Sequence, residues 1–259
     1  MPEPSHTDEH RQRLYRTEAV VLRRRDHAEA DRLLTVFTPH AGKVVLQAKG
    51  IRKPTSRKAG HLELFSHTNL LVARARTWDL ITQAELIHPF PNLHTDMLRA
   101  NYAYYVAELV DKFTQEHDEN RPLFDLLVTT LDRLDTQPKL DVNLRFFEMR
   151  LLGLVGYQPQ LFRCVLCDDE LQPVDNFWSH AGGGAVCPRC AEGQADLAPL
   201  PLPVFKLLRY LQTHAYEDVM ALAPSAALNI RTELLLQHYI MFVLERNLQS
   251  VDFLRRMRG

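Results

Sequence analysis

The sequence lacks the features that mark several common classes of protein. No apolar run in its 259 residues is long enough to span a membrane, and the polar stretch Met1–Arg13 has no signal-peptide core. Gly42-Lys43 is the only Gly-Lys pair and no glycine-rich phosphate loop precedes it, so nucleotide-driven chemistry has no support. No serine-nucleophile elbow is present either. We therefore expect a soluble protein with no membrane partner.

Cysteine is scarce as well, and all four cysteines fall in one segment. They form two Cys-x-x-Cys pairs separated by nineteen residues, a spacing typical of a four-thiolate zinc site: Cys164, Cys167, Cys187 and Cys190. Two such pairs supply the tetrahedral ligand set that structural Zn²⁺ prefers. The alternatives are two redox pairs, in which disulfides would use the same four residues, and a zinc site that is degrading towards a plain loop. Cysteines confined to a metal pattern favour a reducing cytoplasm.

Four thiolates complete the coordination of a zinc ion and leave no position for water or substrate. Zinc deaminases instead use His-x-Glu together with Pro-Cys-x-x-Cys. His61-Leu62-Glu63 matches the first half, but Val186 stands where the proline is required. We therefore expect structural Zn²⁺ as the cofactor, no catalytic residues and no enzymatic activity. A zinc hydrolase or deaminase is a less favoured alternative.

The net charge of −1 conceals a strong asymmetry along the chain. Residues 1–90 carry fifteen Lys and Arg against ten Asp and Glu, whereas residues 91–259 carry sixteen against twenty-two. Between Val20 and Gly60 the count is ten basic to three acidic residues. A basic front of this kind suits a polyanionic partner such as nucleic acid. The alternative is an ordinary solvated surface.

The N-terminal third of the chain is rich in short segments with the composition of β-strands. Turn residues separate five strand candidates: Glu18–Leu22, Leu33–Thr38, Lys43–Ala48, Leu62–Ala75 and Trp78–Leu86. Five strands in about seventy residues predict a small barrel or an open sheet. Gly50–Gly60 contains Pro54 and four basic side chains, and it is predicted to be an exposed, mobile loop.

After Pro89-Phe90-Pro91 the apolar period becomes helical. The predicted helices are 93–115, Leu123–Leu134, Asp141–Val155, Pro203–Tyr216 and Ala226–Asn247. The sequence thus predicts an α+β multidomain protein in which a β domain precedes a helical bundle with an inserted zinc module. The predicted divisions are a disordered tail 1–13, a β domain 14–90, helices 91–160, a zinc module 161–193 and helices 194–259.

Basic side chains at the predicted strand ends and in the loop are candidates for nucleic-acid binding. Contacts of this kind neutralise phosphates, so binding weakens with salt and shows little sequence preference. Phe37, Phe65 and Trp78 are candidates for base stacking. The two phenylalanines are more typical of core residues, and Trp78 is favoured because it lies at a predicted hairpin tip. The full candidate set is Arg23, Arg24, Arg25, Lys43, Lys49, Arg52, Lys53, Arg57, Lys58, Arg74, Arg76 and Trp78.

The order of these parts resembles that of the bacterial recombination mediator family RecO. The resemblance extends from about Arg16 to Arg246 and depends on the combination of several short segments. These segments are Ala28–Thr38, Gly42-Lys43, Lys49–Pro54, Gln83–Leu86, Leu109–Asp111, Phe147–Leu152 and Gly156–Pro159.

The resemblance implies an N-terminal five-stranded OB-fold β-barrel, an α-helical bundle and an inserted four-cysteine zinc module. It also implies binding of single- and double-stranded DNA, annealing of complementary strands without ATP, and work at the nucleoid in the cytoplasm. The implied protein partners are RecR, single-strand-binding protein and, indirectly, RecA. An RNA-binding factor of translation or transcription is the alternative, since a barrel with a zinc module suits that role too.

Overall fold

The computed structural model describes residues 13–245 and consists of two units, one ending at Thr136 and the other beginning at Gln137. Most of the predicted tail, the last residues of the helix predicted to Asn247 and the final basic residues lie outside the described range. The helices up to Thr136 cluster with the strands. The finer domain limits stay predictions. Each helix within residues 13–245 is too short or too polar to traverse a lipid bilayer.

The N-terminal unit is built on a five-stranded barrel. Its strands are β1 (Leu14–His27), β2 (Asp31–Thr38), β3 (Gly42–Ala48), β4 (His67–Ala73) and β5 (Asp79–His88). Every strand pairs with two neighbours, in the order β1-β2-β3-β5-β4, and β1 pairs with β4 to complete the ring. The parallel seam between β3 and β5 contains only two residue pairs, Leu46 with Asp79 and Gln47 with Leu80. This OB-like sheet, followed by helices and clustered cysteines, confirms the predicted fold class.

β1 is much longer than predicted, because its second half carries charged residues that interrupt the apolar pattern after Leu22. The first half of β1 pairs with β4 and the second half pairs with β2. The register with β2 shifts between Val21 and Arg23, and irregularities of this kind bend a strand and increase its twist. The three basic residues predicted to end the strand lie inside it: Arg23, Arg24 and Arg25.

The barrel core contains residues from outside the strands as well as from them. In β3 burial alternates strictly, with Val44 and Leu46 turned inward. Ile51, which is 2% exposed, and Leu62, which is fully buried, join this core from the segment between β3 and β4. The predicted loop Gly50–Gly60 is therefore only partly exposed, and β4 starts later than predicted, after a short 3₁₀ turn at residues 59–61.

Three helices complete the N-terminal unit: α1 (Asn92–Thr95), α2 (Met97–Phe113) and α3 (Arg121–Thr136). The single helix predicted over 93–115 is divided at Asp96, whose backbone is extended. The Asp96 carboxylate accepts hydrogen bonds from the backbone N–H groups of Leu98 and Arg99 and so caps α2. The buried Asp135 carboxylate accepts the backbone N–H of Asn92 at the start of α1. Capping explains why the predicted helix is divided. The spacing of apolar residues along the sequence does not reveal such a cap.

The C-terminal unit contains helices α4 (Leu140–Leu154), α5 (Pro188–Ala191), α6 (Leu202–Thr213), α7 (Tyr216–Ala221) and α8 (Ala226–Leu244). Buried Arg145 of α4 lies 2.9 Å from a carboxylate oxygen of Glu148 and 3.6 Å from one of Glu233 on α8. The sequence did not predict α5, α7 or a small sheet of β6 (Asn176–Ser179), β7 (Gly184–Val186) and β8 (Ala198–Leu200). These elements are three to six residues long, too short for a clear periodic signal.

Gly42, the first residue of β3, lies so close to a crossing backbone that there is no room for a side chain. Its φ is +57°, and an added Cβ would lie 1.9 Å from the carbonyl oxygen of Asp118. The segment that follows α2 crosses β3 here, since the backbone N–H of His117 donates to the carbonyl of Lys43 at 2.9 Å. Only glycine tolerates both the positive φ and the approaching backbone.

We expect Gly42→Ala to lower the free energy of unfolding of the N-terminal unit by about 1–3 kcal/mol or more, because it adds backbone strain and a clash. Thermal and denaturant unfolding followed by circular dichroism measure the change. Gly60→Ala is the matched control, since nothing lies within 4 Å of its added Cβ. Equal effects of the two substitutions would show that the Asp118 contact is unimportant.

Candidate nucleic-acid interface and metal centre

One end of the barrel brings together three segments that are distant in sequence, and we call this surface the basic rim. It consists of residues 26–32 at the β1–β2 turn, residues 49–53 after β3, and residues 74–78 between β4 and β5. These segments carry half of the binding residues predicted from the sequence: Lys49, Arg52, Lys53, Arg74, Arg76 and Trp78.

Contacts at the basic rim hold its three segments together. The rings of His27 and Trp78 meet edge to face, with centroids 5.1 Å apart, which joins the β1–β2 turn to the β4–β5 connection. The backbone N–H of Arg52 donates to the carbonyl of Ala30 at 3.0 Å. The Asp31 carboxylate accepts the backbone N–H of Gly50 at 2.7 Å and the side-chain amide of Gln47 at 2.9 Å. The rim therefore has a defined backbone framework.

Several predicted basic side chains are exposed and form no hydrogen bond or ion pair with other described residues. They are Arg25, Lys49, Lys53, Arg57 and Arg76. Unpaired cations of this kind can contact phosphates without first breaking an internal contact. Lys49, Lys53 and Arg76 lie on the basic rim, which makes it the best supported candidate for a nucleic-acid interface within residues 13–245.

Other predicted binding residues are engaged inside the N-terminal unit. The Lys43 side chain is 13% exposed, and its ammonium donates to the Asp111 carboxylate at 3.1 Å. Arg23 lies 3.9 Å from the same carboxylate. Arg24 forms an ion pair with Glu63. The Lys58 ammonium donates to the backbone carbonyl of Ile81 in β5 at 2.8 Å, and burial lowers the pKa of Lys58.

Lys43 is the clearest difference from the sequence-based expectation. The ion pair of Lys43 with Asp111 joins β3 to α2, so this cation already has a structural partner and is not a candidate for contact with phosphate. Arg74, by contrast, lies on the rim with its guanidinium 5.4 Å from the centre of the Tyr15 ring. The Tyr15 hydroxyl donates to Asp79 at 3.0 Å. Burial, together with that hydrogen bond, raises the pKa of Tyr15 to about 12.

Sequence reasoning missed two residues of the basic rim, His27 and Arg32. His27 ends β1 and packs against Trp78, while Arg32 begins β2 and pairs with Asp26. Arg32 directly follows an acidic residue, and His27 is separated from the Arg23–Arg25 run by Asp26. Only the pairing of β1 with β2 places them on the rim.

The four cysteines of the C-terminal unit converge on one point. Two tight turns present them: the first contains Cys164 and Cys167, and the second follows β7 and contains Cys187 and Cys190. The backbone N–H of Cys164 donates to the carbonyl of Asp169 at 2.8 Å, and that of Cys190 donates to the carbonyl of Cys187 at 3.1 Å. These bonds close each turn on itself.

The sulfur atoms fit a tetrahedral metal ion. All four Sγ atoms lie within 4.8 Å of one another, and those of Cys167 and Cys187 are 3.9 Å apart. Zn–S bonds of about 2.3 Å in a tetrahedron place sulfur atoms about 3.8 Å apart. The quartet can therefore hold a metal ion, as the spacing predicted.

The surroundings of the quartet shift the pKa values of two of its thiols in opposite directions. Burial raises the pKa of the Cys164 thiol, but backbone N–H groups, first that of Cys187, reverse this effect and bring the pKa to about 6. Hydrogen bonds to Cys167 and Cys187 raise the pKa of the Cys190 thiol to about 12. Metal binding requires thiolates and therefore releases protons from such a quartet.

Charged pairs surround the cysteine turns. The Arg163 guanidinium donates to both carboxylate oxygens of Asp168 at 2.7 and 2.9 Å, and Arg189 pairs with Asp169. Within the described residues the metal-ligating cluster contains cysteines alone. His61 and Glu63, which resembled half of a deaminase motif, lie in the N-terminal unit, where Glu63 pairs with Arg24.

Two sequence models cover most of the chain: "Recombination protein O N terminal" over residues 12–90 and "Recombination protein O C terminal" over residues 94–252. The chain belongs to the recombination protein O (RecO) family. The DNA repair protein RecO of Roseiflexus sp. strain RS-1 is 44% identical over 248 residues, which is 96% of this chain and 87% of that protein.

More distant relatives agree. The DNA repair protein RecO of a Dehalococcoides mccartyi strain is 34% identical over 244 residues, covering 94% of this chain and 96% of that protein. That of Symbiobacterium thermophilum is 31% identical over 250 residues, covering 95% and 98%. The resemblance predicted from sequence is confirmed, and the protein is a DNA repair protein of the RecO family.

We expect the purified protein to contain one bound metal ion, and Cys164→Ser to abolish stoichiometric metal binding and destabilise the C-terminal unit. Structural Zn²⁺ sites contribute about 10–16 kcal/mol of apparent binding free energy. Elemental analysis, chelator competition and thermal unfolding check these outcomes.

Leu166→Ser is the control, because it changes an exposed side chain between two ligands and removes no sulfur. That variant should keep its metal. A Cys164→Ser chain that loses DNA affinity while its metal content and unfolding temperature stay normal would contradict a purely structural role.

Proposed function

We propose that this protein is a non-enzymatic recombination mediator that binds DNA through the basic rim and anneals complementary single strands without ATP. The observation that carries the proposal is the convergence of unpaired Lys49, Lys53 and Arg76 with Trp78 on one end of an OB-like barrel. Membership of a DNA repair family makes DNA the favoured polyanion. This role would place the protein at the nucleoid.

The proposed mechanism is electrostatic. Two complementary strands repel each other through their phosphates, and a surface that neutralises some of those charges lowers the repulsion as the bases begin to pair. Each neutralised phosphate releases counterions, so affinity falls as salt rises. A half-buried aromatic ring such as Trp78 can stack on any base, which adds affinity without selecting a sequence.

We further propose that RecR and single-strand-binding protein are partners, and that with RecR the protein helps load RecA on DNA coated with single-strand-binding protein. Family membership supports these partners. The ion held by the cysteine quartet is proposed to be Zn²⁺, because four thiolates in a tetrahedral arrangement suit that metal. In this proposal the metal stabilises the fold and takes part in no reaction.

An RNA-binding factor is the second candidate, since cationic grooves and stacking platforms also bind RNA. Competition between DNA and RNA oligomers of the same sequence distinguishes the two. A clear preference for RNA would replace the DNA proposal.

We expect the pure protein to accelerate annealing of complementary oligonucleotides without nucleotide. Replacing Lys49, Lys53 and Arg76 with Gln should slow annealing. The same change should make the plot of log binding constant against log salt shallower by about 0.7 for each lost phosphate contact on single strands. Fluorescence anisotropy at several salt concentrations measures the slope.

Lys112→Gln with Arg121→Gln is the control, because it removes exposed cations from helices of the same unit. Unchanged annealing and an unchanged slope in the rim variant would exclude this surface. No acceleration by the unmodified protein would refute the annealing function.

Trp78 gives a direct optical test. In a Trp178→Phe background it is the single tryptophan, since the chain has two. We expect its emission to be quenched when oligothymidylate is added, because base stacking brings the ring against nucleobases. Trp78→Ala should weaken binding by about 1–3 kcal/mol, the usual range for base–aromatic stacking. Emission that stays constant at saturating oligonucleotide would exclude stacking.

A further inference from the structure

Asp26 is the one carboxylate on the basic rim that lies between two arginines in the described part of the chain. Its Oδ1 accepts a hydrogen bond from Arg32 Nε at 3.0 Å, and its Oδ2 lies 3.5 Å from Arg52 Nη1. The Asp26 side chain is 56% exposed, and those of Arg32 and Arg52 are 28% and 39% exposed. The cluster is therefore open to solvent and within reach of a ligand.

The backbone fixes the position of this cluster. Asp26 and Arg32 are directly opposite in the β1–β2 register, where neighbouring side chains contact each other. Arg52 is held by the hydrogen bond from its backbone N–H to the carbonyl of Ala30. The hydrogen bond from Arg32, assisted by the charge of Arg52, lowers the pKa of Asp26, so the carboxylate is an anion at neutral pH.

The chemistry of the contact is the same as that of a nucleic-acid backbone. Arginine binds carboxylate and phosphate oxygens through the same donors, with charge-assisted hydrogen bonds. A phosphate that approaches Arg32 and Arg52 therefore competes with Asp26 for the same N–H groups. Asp26 holds both guanidinium groups over the rim, but it also opposes the entry of phosphate.

We propose that Asp26 is a built-in substitute for a backbone phosphate, occupying Arg32 and Arg52 until the phosphate of a bound strand replaces it. The inference rests on the proposed DNA-binding function and identifies an anion that opposes phosphate binding at two of the rim cations. Binding is weaker than the number of rim cations would allow, because two of them must first leave Asp26. A mediator that has to release its strands benefits from such a limit.

The test is the affinity of Asp26→Asn for fluorescent oligothymidylate near 0.15 M salt, where charges beyond about 8 Å are screened. We expect binding to be about threefold to tenfold tighter, since exposed ion pairs of this kind are weak individually. Glu29→Gln is the matched control: it removes the same charge from the same turn, where the side chain is exposed and contacts no arginine in the described structure. We expect the control to change affinity less than twofold.

A second comparison separates displacement from simple charge removal. In a chain that already carries Arg32→Gln and Arg52→Gln, the added Asp26→Asn change should have no effect beyond that of Glu29→Gln. An effect of the same size in both backgrounds, equal effects of Asp26→Asn and Glu29→Gln, or unchanged or weaker binding by Asp26→Asn each overturns the proposal. Asp26→Ser repeats the measurement if the asparagine variant unfolds at a lower temperature.

Measurements on the unmodified chain separate failure of the proposed DNA-binding function from failure of the proposed role of Asp26. If it binds and anneals DNA while Asp26→Asn behaves like the control, the mediator function stands and the phosphate substitute is wrong. If it binds no oligonucleotide, the proposed function fails, and the inference about Asp26 fails with it.

Discussion

The N-terminal unit depends on a single long strand that pairs on both sides. β1 satisfies its backbone hydrogen bonds with β4 along its first half and with β2 along its second half, and the shift near Val21 lets it turn between them. An unpaired strand edge is costly and prone to association, so closing the ring removes that cost. The same curvature brings the connection after β4 against the end of β1, where Trp78 meets His27. The basic rim is thus a consequence of barrel closure.

The barrel also decides which basic side chains remain free. Lys43 and Arg23 share Asp111 of α2, and Arg24 is held by Glu63, so their charges stabilise the unit. Lys49, Lys53 and Arg76 have no such partner among the described residues. Short motifs that suggested the family have structural roles here, since Gly42 accommodates a crossing backbone and Asp31 fixes Gly50. A family motif need not mark a binding residue.

The cysteine quartet could be predicted more directly than the basic rim, because its members are close in sequence and their spacing is informative by itself. Two Cys-x-x-Cys turns can meet at one ion in few ways, and the sulfur atoms are gathered as that spacing predicts. The small sheet that carries the second turn was not predicted. Its strands are three or four residues long, and their pairing decides their conformation more than their composition does.

The sequence by itself determined the order of β and helical segments, the metal quartet and the family, because these depend on local periodicity, spacing and short motifs. Only the tertiary structure decided the full length of β1, the division of the helix at Asp96 and the sorting of cations into paired and free. The reason is that the deciding partners are distant in the chain: Arg24 pairs across 39 residues and Lys43 across 68. No local pattern reports such a pair, and the contact of Asp26 with Arg52 is likewise visible only once β1, β2 and the segment after β3 meet at the rim.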